Sequence, residues 1–169
     1  MKKFISLSII FLTTLFSFAN LQPLLANAAP ISTAEKITGG KIINTEIIPL
    51  DESYYLEVIT YAATSSQIST ASTTKSVPAA KTHNIKNIYN ETIASYTLSA
   101  TFTCDGSTSR CTSASCSRTV NNSAWSFTSY SAAWTGNTAF GSYTAECVYP
   151  KQTVSNTITI TCDANGHIS

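Results

Sequence analysis

The sequence predicts an all-β protein, an antiparallel β-sandwich of about seven strands, and three observations predict it. Residues 94–104 alternate without a break. Ala94, Tyr96, Leu98, Ala100, Phe102 and Cys104 are apolar, and Ser95, Thr97, Ser99, Thr101 and Thr103 between them carry small hydroxyls. Period-2 patterning of this kind marks a half-buried antiparallel strand, with one face in the core and one in water. Residues 153–162 repeat the pattern, with Val154, Ile158, Ile160 and Cys162 opposing Thr153, Ser155, Thr157, Thr159 and Thr161. Turn dipeptides separate the short segments, and no helical period follows the first thirty residues, which is how an all-β sandwich reads.

The chain opens as an export signal. Lys2 and Lys3 precede a mostly apolar stretch over residues 4–19, and Pro23 breaks it before the small-x-small site Ala26-Asn27-Ala28. Cleavage after Ala28 makes residues 1–28 a signal peptide and Ala29 the first mature residue, whereas cleavage one residue later would put Pro30 first. The apolar run of 16 residues is shorter than the ~20 that a membrane-spanning helix needs, although an uncleaved amino-terminal anchor is the alternative. No cysteine precedes Cys104, so lipoprotein processing has no acceptor. The final residues, Asn165 to Ser169, form neither an apolar tail nor a sorting signal. The expectation is a secreted, extracellular protein with no membrane span once the signal is removed.

Loss of Lys2 and Lys3 with the signal leaves eight basic residues against nine acidic ones, a net charge of −1. Nucleic acids and anionic membranes are bound through clustered basic charge, so this balance argues against both. From Thr92 onward only Asp105, Arg110, Arg118, Glu146, Lys151 and Asp163 are charged. Ser and Thr form the solvated face instead, a composition that suits strands.

Residues 29–51 contain Gly39-Gly40 and two prolines without a sustained period, and read as a linker or loosely docked arm. The sandwich domain is placed at 52–169. Residues 52–61, ESYYLEVITY, are aromatic and β-branched and form a strand. Residues 62–78, rich in Ser, Thr and Ala, are a linker or a strand exposed on both faces. Residues 81–89 and 92–104 form a hairpin turning near Asn90-Glu91, and Asp105-Gly106 is a hairpin-turn dipeptide in which Gly accepts positive φ. A strand over 125–134 is followed by the turn Gly136-Asn137. Residues 138–149 then set Ala139, Gly141, Tyr143, Ala145 and Cys147 on one face.

All five cysteines, Cys104, Cys111, Cys116, Cys147 and Cys162, fall in the last 66 residues. In an exported protein the default is disulfides, each contributing ~2–4 kcal/mol. An odd number leaves at least one thiol free, reactive, or bonded to a second chain as a dimer. Two bridges among five cysteines allow fifteen arrangements. Cys104, Cys147 and Cys162 lie on the apolar parity of their strands, and Cys104 with Cys162 is the preferred pair. Cys111 and Cys116 differ in parity, so on one regular strand they face opposite ways, though a turn between them would let them close a local loop. Zinc knuckles bring cysteines in C-x2-C pairs or beside histidines, unlike the spacings here, and no metal or cofactor is expected.

No catalytic constellation is legible. His83 would need folding to bring it beside a cysteine, and His167 lies two residues from the end. Asp163-Ala164-Asn165-Gly166 starts like a calcium loop but lacks the closing bidentate acid, and reads as an Asx turn. The aromatics carry more. Trp125 and Trp134 are nine positions apart, so an unbroken strand turns them to opposite sides. Trp125 would share one side with Phe127, and Trp134 the other with Tyr130. One pair would then be outside, and Tyr130 with Trp134 is the candidate surface platform for a sugar ring or a partner's apolar patch. A bulge near Ser129-Tyr130-Ser131 that resets parity and buries both tryptophans is the preferred alternative.

Cys116, Trp125 and Cys147 are loosely spaced like the bridge and tryptophan of immunoglobulin domains. Ala145 stands where those domains put a tyrosine two residues before the second cysteine. An immunoglobulin-like architecture is therefore expected without membership of that family. The runs ASYTLSATFTCDGST (94–108), CTSASC (111–116), GNTAFGSY (136–143) and ITCDANG (160–166) do resemble a family of small exported bacterial proteins, mainly Gram-positive, that carries a domain of unknown function. The resemblance covers about residues 65–169. It implies an exported, bacterial, β-rich protein and supplies no functional residues.

The function expected is a secreted, non-enzymatic binding or structural module whose partner is an extracellular glycan or protein. A secreted antagonist, toxin or inhibitor, is the runner-up, and an extracellular hydrolase comes third.

Overall fold

The computed structural model describes residues 40–63 and 74–169. The signal peptide, the first part of the 29–51 segment and most of the 62–78 stretch fall outside the described residues. Eight strands follow one another: β1 (Lys41–Pro49), β2 (Tyr54–Ala62), β3 (Lys75–Asn87), β4 (Thr92–Cys104), β5 (Ser109–Val120), β6 (Trp125–Thr135), β7 (Thr138–Cys147) and β8 (Gln152–Thr161). They form a five-stranded sheet, β1-β2-β3-β4-β5, and a three-stranded sheet, β6-β7-β8, with every neighbouring pair antiparallel. Strand order equals chain order in both sheets. The sandwich is thus a pair of meanders, without the Greek-key connection of immunoglobulin domains.

The alternating strands behave as their patterns require. On β4 the buried side chains are the alternating set Ala94, Tyr96, Leu98, Ala100, Phe102 and Cys104, with Ile93 beside them at the start of the strand, and the hydroxyl residues within the alternation are half-buried. On β7 the buried set is Ala139, Gly141, Tyr143, Ala145 and Cys147, and on β8 Val154, Ile158 and Ile160. The β3–β4 hairpin turns through Asn90, whose φ of 64° is a value that Asn accepts more readily than most residues. Its partner turn after β4 places Gly106 at φ 87°. There Asp105 Oδ1 accepts the backbone N–H groups of Ser107 and Thr108 at 2.9 and 2.7 Å.

Two strands differ from expectation. Residues 41–49, within the segment read as a linker or loose arm, are β1, paired along its length with β2. β1 is an edge strand exposed at all nine positions, so no face selects for alternation and no period betrays it. β5 was equally hidden. It is the opposite edge strand, and a bulge between Cys111 and Ser113 leaves Thr112 without a partner. That bulge corrects the parity argument for the cysteines. Cys111 pairs with Phe102 and Cys116 with Leu98, so both lie on the inward face. Four to five residues of strand rise separate them by ~13–17 Å, beyond the 7 Å over which a disulfide joins Cα atoms.

The two sheets meet on an aromatic stack. Tyr96 of β4 lies over Tyr143 of β7 with ring centroids 4.9 Å apart and planes 25° from parallel. Phe127 and His83 meet Tyr143 edge-on at 5.9 and 5.7 Å. The Tyr96 hydroxyl crosses the interface and donates to the Ser131 carbonyl at 2.5 Å. Gly141 makes this approach feasible, since a Cβ there would come within 2.3 Å of the Tyr96 hydroxyl and 2.9 Å of the Ser131 carbonyl. Beside the stack, Lys81 points inward from β3 and its ammonium donates to the Thr159 carbonyl of β8 at 2.8 Å. An inward charge of this kind blunts the free edge of β8.

Gly141→Ala should therefore force the Tyr96 hydroxyl off its acceptor and cost about 2–4 kcal/mol, overpacking plus a lost buried hydrogen bond. In a Tyr96→Phe background the same substitution should cost markedly less, as urea denaturation of the four variants would measure.

Candidate functional site

The aromatic residues singled out from the sequence lie on β6, the edge of the three-stranded sheet. Trp125 pairs with Cys147 and Phe127 with Ala145; after a bulge at Thr128, Tyr130 pairs with Tyr143, Ala132 with Gly141 and Trp134 with Ala139. Their β7 partners are the inward-facing set. The bulge thus resets parity one residue before the expected position and turns Trp125, Phe127, Tyr130 and Trp134 to the same face.

Resetting parity does not bury them equally. Trp125 is 3% exposed and packs edge-on against Tyr54 at 5.4 Å, whereas Tyr130 and Trp134 are 46% and 47% exposed. The reason lies on β5, which runs beside β6 at the seam of the two sheets. Its inward-facing residues are Ala114, Cys116, Arg118 and Val120, opposite Ala100, Leu98, Tyr96 and Ala94. Small or polar side chains there leave the β6 aromatics uncovered. Arg118 fills part of the gap, with its guanidinium carbon 3.7 Å from the centre of the Tyr130 ring. A cation on an aromatic face at this distance is attracted to the ring and holds it in place.

The result is a strip. Tyr130 and Trp134, four residues apart on one face, present two rings ~13 Å apart by strand rise, with small Ala132 between them and one cation at the Tyr130 end. At its base, Cys116 lies against the Tyr96 hydroxyl. Burial pushes the Tyr96 phenol far above its ordinary range, with Cys116 and Tyr143 adding to the effect, so it remains a neutral donor. Such a strip can stack on flat apolar faces and pair with an anion.

The other chemistry-bearing residues lie elsewhere. His83 faces the interior, 5% exposed, and shares a 3.1 Å hydrogen bond with the Tyr143 hydroxyl. His167 is at the surface, 2.8 Å from the Asp163 carboxylate. Asp163 also accepts the backbone N–H groups of Asn165 and His167. The His167 contacts hold its carboxyl below the usual range, as an Asx-type turn requires. All five cysteines are free thiols, so none of the expected bridges is closed. Cys104 and Cys162, 2% and 0% exposed, face each other across the sheets at one end, and Cys147 is buried at the other. Among the described residues no three His, Cys, Asp or Glu side chains gather as a metal-holding group.

Sequence reasoning named Tyr130 and Trp134 but missed Arg118. The signal was faint, one of two arginines in an otherwise Ser- and Thr-rich segment, and only the β5 register turns it inward. Fold and strip together define a two-meander β-sandwich with an aromatic strip at the sheet seam. No family model matches the chain, and no curated protein or solved structure matches it.

His83 makes stability depend on pH. Burial, reinforced by nearby Lys81, lowers its pKa from 6.5 to about 4, so the unfolded chain takes up the proton first. Between pH 6.5 and 4 the unfolded state holds more protons, and stability falls as pH falls through that window, by about 2–3 kcal/mol. Urea midpoints measured from pH 7 to 4 should show this decline, and His83→Gln should flatten it.

Proposed function

We propose that the mature protein is a secreted, non-enzymatic binding module that takes an extended glycan along the Tyr130–Trp134 strip. The observation that carries this reading is the half-exposure of two inward-parity aromatic rings at the seam, spaced too far apart for a single sugar. A pyranose presents C–H groups on one face and hydroxyls at its rim, so it stacks on such rings while its rim meets polar neighbours. Arg118, held over Tyr130, adds a donor fork suited to a carboxylate or phosphate on the chain. Cleavage of the export signal read over residues 1–28 would deliver such a module to where cell-surface and extracellular polymers are found.

Affinity electrophoresis through gels containing neutral or acidic polysaccharides tests the proposal. Retardation by at least one polymer is expected, and Trp134→Ala should weaken it at least tenfold, about 1.4 kcal/mol. Arg118→Gln should weaken binding to acidic polymers selectively. Migration of Trp134→Ala identical to wild type on a retarding polymer would sink the assignment.

The same compartment supports disulfide closure. Cys104 ends β4 and Cys162 follows β8, with the two thiols side by side, so a bridge between them would staple one sheet to the other. Closure transfers two hydrogens to an external disulfide oxidant. It would close a loop of nearly sixty residues and contribute about 3–4 kcal/mol. Non-reducing peptide mapping of protein recovered from the medium should find this pair, and Cys104→Ser should lower the melting temperature more under non-reducing than under reducing conditions, the remainder being the cost of a hydroxyl in the core.

A further inference from the structure

The four most exposed large apolar side chains of the described residues lie together at one end of the sandwich. Ile88 and Tyr89, in the β3–β4 turn, are 63% and 78% exposed; Val148 and Tyr149, in the β7–β8 turn, are 79% and 88% exposed. Turns ordinarily carry Gly, Asn, Asp, Ser and Pro at their tips, and exposed aliphatics are disfavoured there by the cost of hydrating them. Registers put both turns at the same end. Tyr54, at the start of β2, pairs with Asn87, and Cys147 with Gln152 beside Trp125, which packs on Tyr54. Strands β3 and β4 pack over β8 and β7, so the two turns face each other across the ~10 Å between sheets.

Several features decide what these tips meet. They stand on two separate turns, one from each sheet. Each turn pairs one aliphatic with one tyrosine, whose ring has an apolar body and a polar rim, the combination enriched at the level of lipid headgroups. No charge lies among residues 88–90 or 148–150, and the flanking charges are of both signs: Glu91 and Lys151 beside the tips, and Asp51 and Glu52 in the adjoining β1–β2 turn. This mixture gives no attraction to an anionic surface. The described chain boundaries at 40, 63 and 74 and the terminal Ser169 lie at the opposite end, where Lys41 pairs with Ala62, Lys75 with Cys104, and Ser169 bonds to Thr161.

We propose that this end of the sandwich docks on a zwitterionic lipid surface, with Ile88, Tyr89, Val148 and Tyr149 inserted to headgroup depth. The contact is peripheral and independent of the aromatic strip, which lies along the side of the molecule.

Flotation of the mature chain with phosphatidylcholine vesicles tests this. Wild-type protein should float with the vesicles, equally or better than with phosphatidylglycerol vesicles. An Ile88→Asp/Val148→Asp double variant should float at least tenfold less while keeping the wild-type melting temperature, because both side chains are already in water. In a Tyr89→Trp variant, emission should shift to the blue and be quenched by brominated phosphatidylcholine, a depth readout that does not depend on the double variant folding. Absence of flotation, flotation unchanged by the double substitution, or preference for phosphatidylglycerol would overturn the proposal. So would tips required for capture of a protein partner while vesicles remain unbound. Loss of polysaccharide retardation in Trp134→Ala with flotation intact would separate the two surfaces.

Discussion

The structure depends on one contact, the seating of the Tyr96 hydroxyl against the Ser131 carbonyl over Gly141. Two meanders joined by the β5–β6 connection have no ladder of hydrogen bonds between them, only single backbone bonds such as Cys111 N–H to the Gly136 carbonyl and Gly106 N–H to the Ala164 carbonyl, so side-chain packing does most to set their alignment. Hydrophobic burial is non-directional and would accept many relative positions of two apolar faces. A short hydrogen bond from a buried phenol to a backbone carbonyl admits one. Tyr143 stacks beneath it, Phe127 and His83 close around Tyr143, and the absence of a side chain at Gly141 sets how near the sheets approach. His83 therefore lies within the joint, where a positive charge would be deprived of water, which is why its proton is lost so readily.

Legibility followed burial. β4, β7 and β8 were readable because one face of each is buried, and a one-residue slip would expose the whole apolar set. The sequences Ala94 to Cys104 and Ala139 to Cys147 display that constraint directly. β1 and β5 are edges. Ile42-Ile43 and Ile47-Ile48 stand in pairs rather than alternating, and β5 reads Ser-Arg-Cys-Thr-Ser-Ala-Ser-Cys with little apolar content. The bulges at Thr112 and Thr128 leave no mark that a period-2 reading detects. Each shifts parity by one, and each falls where parity decided an inference: the facing of Cys111 and Cys116, and the side occupied by Trp134.

The candidate strip illustrates the same limit from the other side. Tyr130 and Trp134 were visible as residue types, but their exposure is a property of their neighbours. It arises because Ala114, Cys116 and Arg118 oppose them across the seam, a juxtaposition that depends on the β5 bulge and on the separate β6 bulge acting together. Without the first, Arg118 faces solvent on the far side of its sheet. Without the second, the two rings leave the seam, and the cation has no ring to cap.

The distribution of function over such a body follows from how it is stabilised. The outer faces are paved with hydroxyls that bond to one another, Thr82 to Thr97, Ser131 to Ser142 and Thr144 to Ser155 at 2.9 to 3.1 Å, so they are satisfied locally and carry little charge. Stability resides inside, at the tyrosine joint and the apolar parity positions. One end carries the chain boundaries and the facing thiols of Cys104 and Cys162; the other carries turns tied back by Asp51 and Asn87. Asn87 caps the β3–β4 turn through the backbone N–H groups of Tyr89 and Glu91, and the Val148 backbone N–H ties the β7–β8 turn to the Ala124 carbonyl, so the turns are fixed by backbone bonds and not by the side chains at their tips. Ile88, Tyr89, Val148 and Tyr149 therefore contribute almost nothing to the core, and their apolar character answers to what lies outside the fold.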